Sequence, residues 1–370
     1  MPLVVVLAGG ITTGAELPPT IDGIIKLPPI TLRTRGLSPQ QAVEALSKET
    51  GVAIYPFRRA VPEGKSLSPK SPVFDLWTAR QYRPIDFDLE SVSFWPAMRR
   101  IAVHANIGIR NGGRDVVLYE QLESNELPAP GVLSETPLTV GHLIPAEGGP
   151  AFTVDLYVDP RVPLLSAGPV VIERAMAERG RSINASAQRG LHRQFRDRWR
   201  IHDYVQYTLP DQPAARIVLL SGYAPVMVVT RSQTVEFPLD QLGFAVEIGP
   251  WVVKLEDFRS SHFVGGNAVR DFFIGFERRQ PSSVPVPPVL GVLAQLVDAN
   301  GRAMIVTGDS RPQTTVSGGI REWVEFECAL RDGAPATPAK LLVDVPLEIK
   351  SAIVPFEFRD IPMPRAGGDR

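Results

Sequence analysis

Apolar residues recur at two different periods along this chain, and the change of period divides it. Ile30, Leu32 and Thr34 alternate with Thr31, Arg33 and Arg35, the two-residue period of a half-buried strand. Ser38-Pro39-Gln40-Gln41 follows as a helix start: Ser38 caps, Pro39 suits the first helical position and Gln41 closes a capping box. Ala42, Val43 and Leu46 then give one apolar stripe. Gly51 supplies the left-handed residue that ends a helix, and residues 52–55 resume as a strand.

The same grammar returns over residues 85–109. Without gaps, Ile85, Phe87 and Leu89 match Ile30, Leu32 and Thr34, Ser93 matches Ser38, and Ile107 and Ile109 match Val52 and Ile54. Asp86, Asp88 and Glu90 take the solvent side of the strand. Phe94, Met98, Ile101 and Ala105 form a stripe at helical spacing. Asn106 stands where Gly51 stood, and Asn is the other residue that tolerates the left-handed conformation. Residues 107–119 finish as a hairpin around Asn111-Gly112-Gly113. Residues 21–124 therefore read as two tandem βαβ(β) modules, copies 30–57 and 85–120, separated by a Pro-, Ser- and Lys-rich excursion.

Residues 125–150 carry Pro128, Pro130, Pro137, Pro145 and Gly148-Gly149-Pro150, and read as a linker. Beyond them the helical period is gone, and many short alternating runs with Gly/Pro turns indicate packed sheets. Two runs, 151–240 and 241–362, resemble each other. Each has a hairpin turn with a positive-φ glycine (Glu178-Arg179-Gly180-Arg181; Ala299-Asn300-Gly301-Arg302), and each closes on a Phe-containing strand. The expected fold class is α+β at the N-terminus, then all-β, with two immunoglobulin-like β-sandwiches in series. Residues 363–370 read as a tail.

Composition sharpens this picture in four places. The chain has 370 residues, more than one core of ordinary size accommodates. Its 36 prolines and 31 glycines disfavour long helices and favour short strands. The 39 Lys+Arg balance 40 Asp+Glu, so no global field favours nucleic acid. Cys328 is the only cysteine, which excludes an intrachain disulfide or a cysteine metal cluster, and its alternating strand places it in a core. Residues 1–20 have two readings, a signal-peptide remnant or an ordinary lead-in with a first strand, of which the first is favoured. No other stretch approaches about 20 apolar residues, so no membrane span is expected.

The pattern "ITLRTRGLSPQQAVEALSKETGVAI" resembles the short N-terminal modules of secretins and the signalling domain of TonB-dependent outer-membrane receptors. The resemblance covers residues 30–120 and implies a small αβ fold that docks to protein partners. The whole chain, most clearly its ending "LLVDVPLEIKSAIVPFEFRDIPMP", is further similar to uncharacterised exported bacterial proteins in which such modules precede β-sandwich domains. No secretin or receptor barrel follows, so only the docking role is implied.

Catalytic chemistry has no signature here. Phosphate-loop and nucleophile-elbow patterns are absent. His104 reads as a half-buried packing residue. His192 and His202, near Asp197 and Asp203, match no compact ligand spacing. Asp155 and Asp159 read as a strand end rather than a calcium site. The unusual stretch is Arg189, Arg193, Arg196, Arg198 and Arg200, interleaved with Leu191, Phe195 and Trp199. It is either a solvated excursion between strands or a cationic docking surface for an anionic polymer or acidic protein. The expectation is a non-enzymatic, exported cell-envelope protein that works by protein–protein contact, without cofactor, metal or nucleic acid. Carbohydrate binding is the alternative, favoured by exposed aromatics among Tyr204, Tyr207, Trp251 and Trp323. A hydrolase comes third and would need distant carboxylates brought together, for instance Asp257 and Glu277.

Overall fold

The computed structural model describes residues 17–56, 83–112, 115–120, 139–145, 151–187, 200–207, 216–240, 243–264, 267–278, 294–306, 311–314, 320–330 and 334–362. The chain is mostly strand with few helices. A single-turn helix, α1 (Ile21–Ile24), precedes strand β1 (Ile30–Leu37), helix α2 (Pro39–Thr50) and strand β2 (Ile54–Pro56). The second copy supplies β3 (Ile85–Val92), α3 (Phe94–Ala105), β4 (Ile107–Gly112) and β5 (Asp115–Glu120).

The two copies do not pack as separate modules. β1 pairs antiparallel with β3 of the other copy, Arg33 opposite Asp88, while β2 runs parallel to β5 and β5 antiparallel to β4. Ala42, Val43 and Leu46 of α2 share one core with Phe94, Met98 and Ile101 of α3 and with Ile85, Phe87 and Leu89 of β3. The physical reason is size. One helix and a three-residue β2 bury too little apolar surface to stand alone, so the copies close on each other. The result is one αβ unit with a two-stranded and a three-stranded sheet around two helices.

Cap chemistry distinguishes the two helices. Ser38 Oγ accepts the Gln41 N–H at 3.2 Å and Gln41 Oε1 accepts the Ser38 N–H at 2.9 Å, a complete capping box. Ser93 occupies the matching position without any side-chain capping bond. The residue three further on is Pro96, which has no N–H to offer, so the serine is retained but its expected bond is not. At the other ends Gly51 (φ 70°) and Asn106 (φ 49°) both take the left-handed conformation.

The β region starts inside the stretch read as a linker. β6 (Thr139–Pro145) pairs along its length with β7 (Ala151–Val158). It is an edge strand whose Pro145 falls at the end, where a missing N–H costs nothing. β8 (Leu164–Ala167), β9 (Val171–Ala177), β10 (Ala185–Ala187) and β11 (Arg200–Tyr207) lead into β12 (Arg216–Pro238). β13 (Ala245–Ile248), β14 (Trp251–Val264), β15 (Asn267–Arg278), β16 (Ala294–Asp298), β17 (Met304–Val306), β18 (Arg311–Thr314) and β19 (Ile320–Leu330) lead into β20 (Pro338–Pro362). The turns expected at 178–181 and 299–302 are present, with Gly180 and Gly301 at positive φ.

β12 and β20 change the expected architecture. They pair antiparallel from Arg216↔Pro362 to Pro238↔Lys340, forming the middle of a five-stranded sheet, β16-β20-β12-β8 with β9 also on β12. One core lies between this sheet and the four-stranded β10-β11-β7-β6 sheet. It takes Ile217, Leu220, Ala224, Val226 and Val228 from β12 but also Ala352, Val354, Phe356, Phe358 and Ile361 from β20. The other core lies against the six-stranded sheet formed by β13, β14, β15, β17, β18 and β19. It takes Leu341, Val343 and Val345 from β20 and Val229, Val235 and Phe237 from β12. Each long strand begins in its own half and crosses into the other, so the halves interlock and are not in series.

The alternating runs 216–221, 226–229 and 234–237 form one strand, and so do 340–345 and 353–358. Gly222, Pro225 and the exposed Arg231–Gln233 run all lie inside β12 without interrupting it. Pro225 is tolerated because its edge faces the gap between β8 and β9, where Gly168 N–H donates to the Pro225 carbonyl at 2.7 Å.

Candidate functional site: the αβ unit and its seat on the sheets

Alternation dictates the outer surface of the αβ unit. With Ile85, Phe87 and Leu89 turned to the core, Asp86, Asp88 and Glu90 face water, opposite Thr31, Arg33 and Arg35 of β1. Arg33 reaches both Asp88 (3.6 Å) and Glu90 (2.6 Å). All three side chains are well exposed, so the cluster orders the surface more than it stabilises the fold. Asp86 Oδ1 accepts the Gly36 N–H at 2.8 Å. From α3, Arg100 Nη1 donates to the Asp88 carbonyl at 3.4 Å, and His104 Nε2 lies 3.0 Å from the Arg83 carbonyl. His104 is thus an exposed residue at the end of α3, not half-buried packing. Beside it Val103 is 56% exposed, an apolar side chain in a basic setting that includes Arg99 and Arg100.

The opposite end of α3 is seated on the sheets. Trp95, 7% exposed, stacks edge-on to Tyr157 with ring centroids 5.7 Å apart, and its Nε1–H donates to the Val158 carbonyl at 3.0 Å. The turn that follows is built by Asp159. Its carboxylate is buried and takes the Arg161 guanidinium in two bonds (Nε–Oδ1 2.9 Å, Nη2–Oδ2 2.7 Å), plus the Arg161 N–H at 3.0 Å. Arg161 Nη1 then donates to the Pro28 carbonyl at 2.7 Å, on the approach to β1. Asp159 is therefore committed to this turn, as its reading as a strand end implies. Asp203 likewise accepts the Val170 N–H at 2.8 Å.

The second half contains a chemically matched turn. Asp298 accepts the N–H groups of Asn300 and Arg302 (2.9 and 2.8 Å) and the Arg302 guanidinium (Nε–Oδ2 2.8 Å). Burial pushes the Asp298 carboxyl up. The Arg302 N–H, its guanidinium, the Asn300 N–H and the Arg302 charge together outweigh that and hold the group below the ordinary aspartate value.

Arg189, Arg193, Arg196 and Arg198 lie outside the described residues, as do His192, Phe195, Asp197 and Trp199. Arg200 opens β11 opposite Tyr157, with its side chain outside the description. Trp251 is no sugar platform: it is 1% exposed, packs on Phe276 and donates from Nε1 to the Pro346 carbonyl at 2.8 Å. Tyr204, Tyr207 and Trp323 stand in strands whose side chains there are not described. Asp257 pairs with Phe273 and Glu277 with Val252. That register places residues 257 and 277 four positions, about 13 Å, apart along the strand direction. Among the described residues no group of three or more His, Cys, Asp or Glu could hold a metal ion, and no helix is long and apolar enough to cross a membrane. Cys328 is buried, as its strand position implies.

What geometry defines at this point is a largely β chain whose one two-helix unit is carried on interlocked sheets. Comparison of the chain with models of known families, with curated proteins and with solved structures finds no match. The seat formed by Trp95, Asp159 and Arg161 was missed in the sequence. Its only signals were a tryptophan one place inside a helix and the string Val-Asp-Pro-Arg at 158–161, each indistinguishable from ordinary packing or turn chemistry.

Proposed function

We propose that this chain is a non-enzymatic interaction protein of the cell envelope. Its αβ unit docks to a protein partner in the manner of the secretin and receptor modules that residues 30–120 resemble, and its two halves of immunoglobulin-like β-sandwich serve as the carrier. The observation that supports the reading best is the division of the αβ unit's surface. The Trp95 end is spent on the carrier. The Arg33–Asp88–Glu90 face and the Val103 end stay at the surface, formed by a unit with a closed core of its own. Val103 is a single apolar side chain and carries little weight alone; the support is that this charged face lies on the unit's surface away from its seat on the sheets.

The test uses the full chain with a cleavable cross-linker in envelope fractions, reading which residues carry cross-links to another protein. Cross-links concentrated on residues 30–120, and reduced at least tenfold by Val103→Asp or Arg33→Glu, are the expected result. Cross-links confined to residues 151–362 would assign docking to the sheets, and recovery of the chain only in the cytosolic fraction would remove the envelope assignment.

A further inference from the structure

We infer that the turn from Val158 to Arg161 is a releasable joint, which holds the αβ unit in one orientation and can let go without either side unfolding. Two hydrogen bonds from separate sources converge on it. The Trp95 indole N–H reaches the Val158 carbonyl at 3.0 Å, and the Arg161 guanidinium reaches the Pro28 carbonyl at 2.7 Å. One fastens the start of α3, the other the strand entry into β1, so the unit is held at two separate points. Asp159 is a positioning residue. Its buried carboxylate takes three donors from Arg161 and aims the remaining guanidinium N–H at Pro28.

Release is feasible because, among the described residues, the two hydrophobic cores meet at the joint, through Trp95 on one side and Val158 on the other, without merging into one. The αβ core is built from residues of β1–β5, α2 and α3, and the sheet side adds only the partly buried Tyr157. The first β core takes α1 and its neighbours, with Ile21 buried and Ile24, Ile25 and Leu27 packed beside it. The Ile353 N–H binds the Pro19 carbonyl at 3.0 Å, so the lead-in stays with the sheets up to the residues just before Pro28. Opening would therefore leave the αβ unit tied to the sheets only through its two covalent connections, the short stretch between Leu27 and Ile30 and the chain from β5 to β6. Where the described residues on the two sides keep separate cores, relative motion is the default expectation for two bodies of one chain.

The test is a distance measurement in the full chain. Spin labels are placed on cysteines introduced at Glu44 on α2 and Glu173 on β9, both exposed, while Cys328 is buried. The parent should give one narrow distance distribution. Trp95→Phe keeps an aromatic ring against Tyr157 but has no N–H, and Asp159→Asn with Arg161→Met removes the clamp without leaving a buried charge unpaired. Combined, they should at least double the width of the distribution, while amide protection in α2 and in β15 stays at parental levels. A distribution that remains narrow would show that this turn is not the joint. Loss of protection in α2 would show that the αβ unit needs its seat in order to fold, which also overturns the inference.

Discussion

Val228 and Val229 are neighbours in the chain and belong to different hydrophobic cores, the first on one face of β12 and the second on the other. The paired strand repeats the division, with Leu164 in the first core and Leu165 in the second. Strand alternation makes this unavoidable once both faces of the five-stranded sheet are covered. Each core is then walled by residues from both halves of the chain, and a boundary drawn between residues 240 and 241 cuts neither core free.

A chain ending at residue 240 should therefore fail to form the first core. It keeps Val154, Leu156 and Val158 on one side and Ile217, Leu220, Ala224, Val226 and Val228 on the other, but lacks Ala352, Val354, Phe356, Phe358 and Ile361, which complete that second side and bring both of its large phenylalanines. The expected calorimetric trace retains no cooperative transition from the β region. In the full chain, Phe358→Ala should cost about 3–5 kcal/mol, and hydrogen exchange should report the loss in β7, two hundred residues away in sequence. A cooperative melt of the shortened chain's β strands would show that the exchange of strands is dispensable.

The two helix starts predict unequal responses to the same substitution. Ser38→Ala removes a hydroxyl that accepts the Gln41 N–H, and should destabilise the αβ unit by about 1 kcal/mol. Ser93→Ala removes a hydroxyl with no capping bond, and should change stability by less than about 0.5 kcal/mol. Urea midpoints of the two variants decide the matter; equal losses would mean that Ser93 caps α3 after all.

Gly222 is needed for close approach, not for its φ angle. A Cβ there would overlap the Val171 carbonyl of β9 and press on the Phe356 ring, in the middle of a paired sheet where backbone cannot yield. Gly222→Ala should cost about 2–3 kcal/mol as an overpacked core site does. Gly36→Ala, at positive φ with open space around it, should cost only about 1 kcal/mol. Denaturant titration of both variants would reverse this account if the order were inverted.

Much of the αβ unit was legible because its signals are local. The Ser38 capping box, the stripe of Ala42, Val43 and Leu46, and the left-handed Gly51 and Asn106 each depend on residues within one or two turns. Its assembly was not legible, since Arg33 facing Asp88 is a pairing across fifty-five positions, and a charge alternation fits a free edge as well as a partner strand. The β region shows the same divide. Alternation located most strands, and the 178–181 and 299–302 turns were visible from their glycines. The fusion of three runs into β12 was hidden by Pro225 and by Arg231, Ser232 and Gln233, which are turn-like in composition and were tolerated because β20 supplies the pairing. The seat at Trp95 and Arg161 depends on where two folded bodies meet, and no periodicity carries that.

Acid should act on the second half through Asp298. Its hydrogen bonds to the Arg302 and Asn300 N–H groups and to the Arg302 guanidinium hold its folded-state pKa below that of an unfolded aspartate, about 3.9. A depressed folded-state pKa means that the unfolded chain binds the proton more readily, so the contribution to stability is complete above about pH 4 and is lost as pH falls through the lower folded value. Asp298→Asn lacks that titration. The variant should be less stable than the parent at pH 7, and the gap should narrow steadily below about pH 4 as the parent loses its advantage. Urea midpoints measured for both chains across that range are the check. A gap that stays constant down to pH 2 would mean that the turn around Arg302 is held by its backbone geometry, with the carboxylate charge contributing nothing.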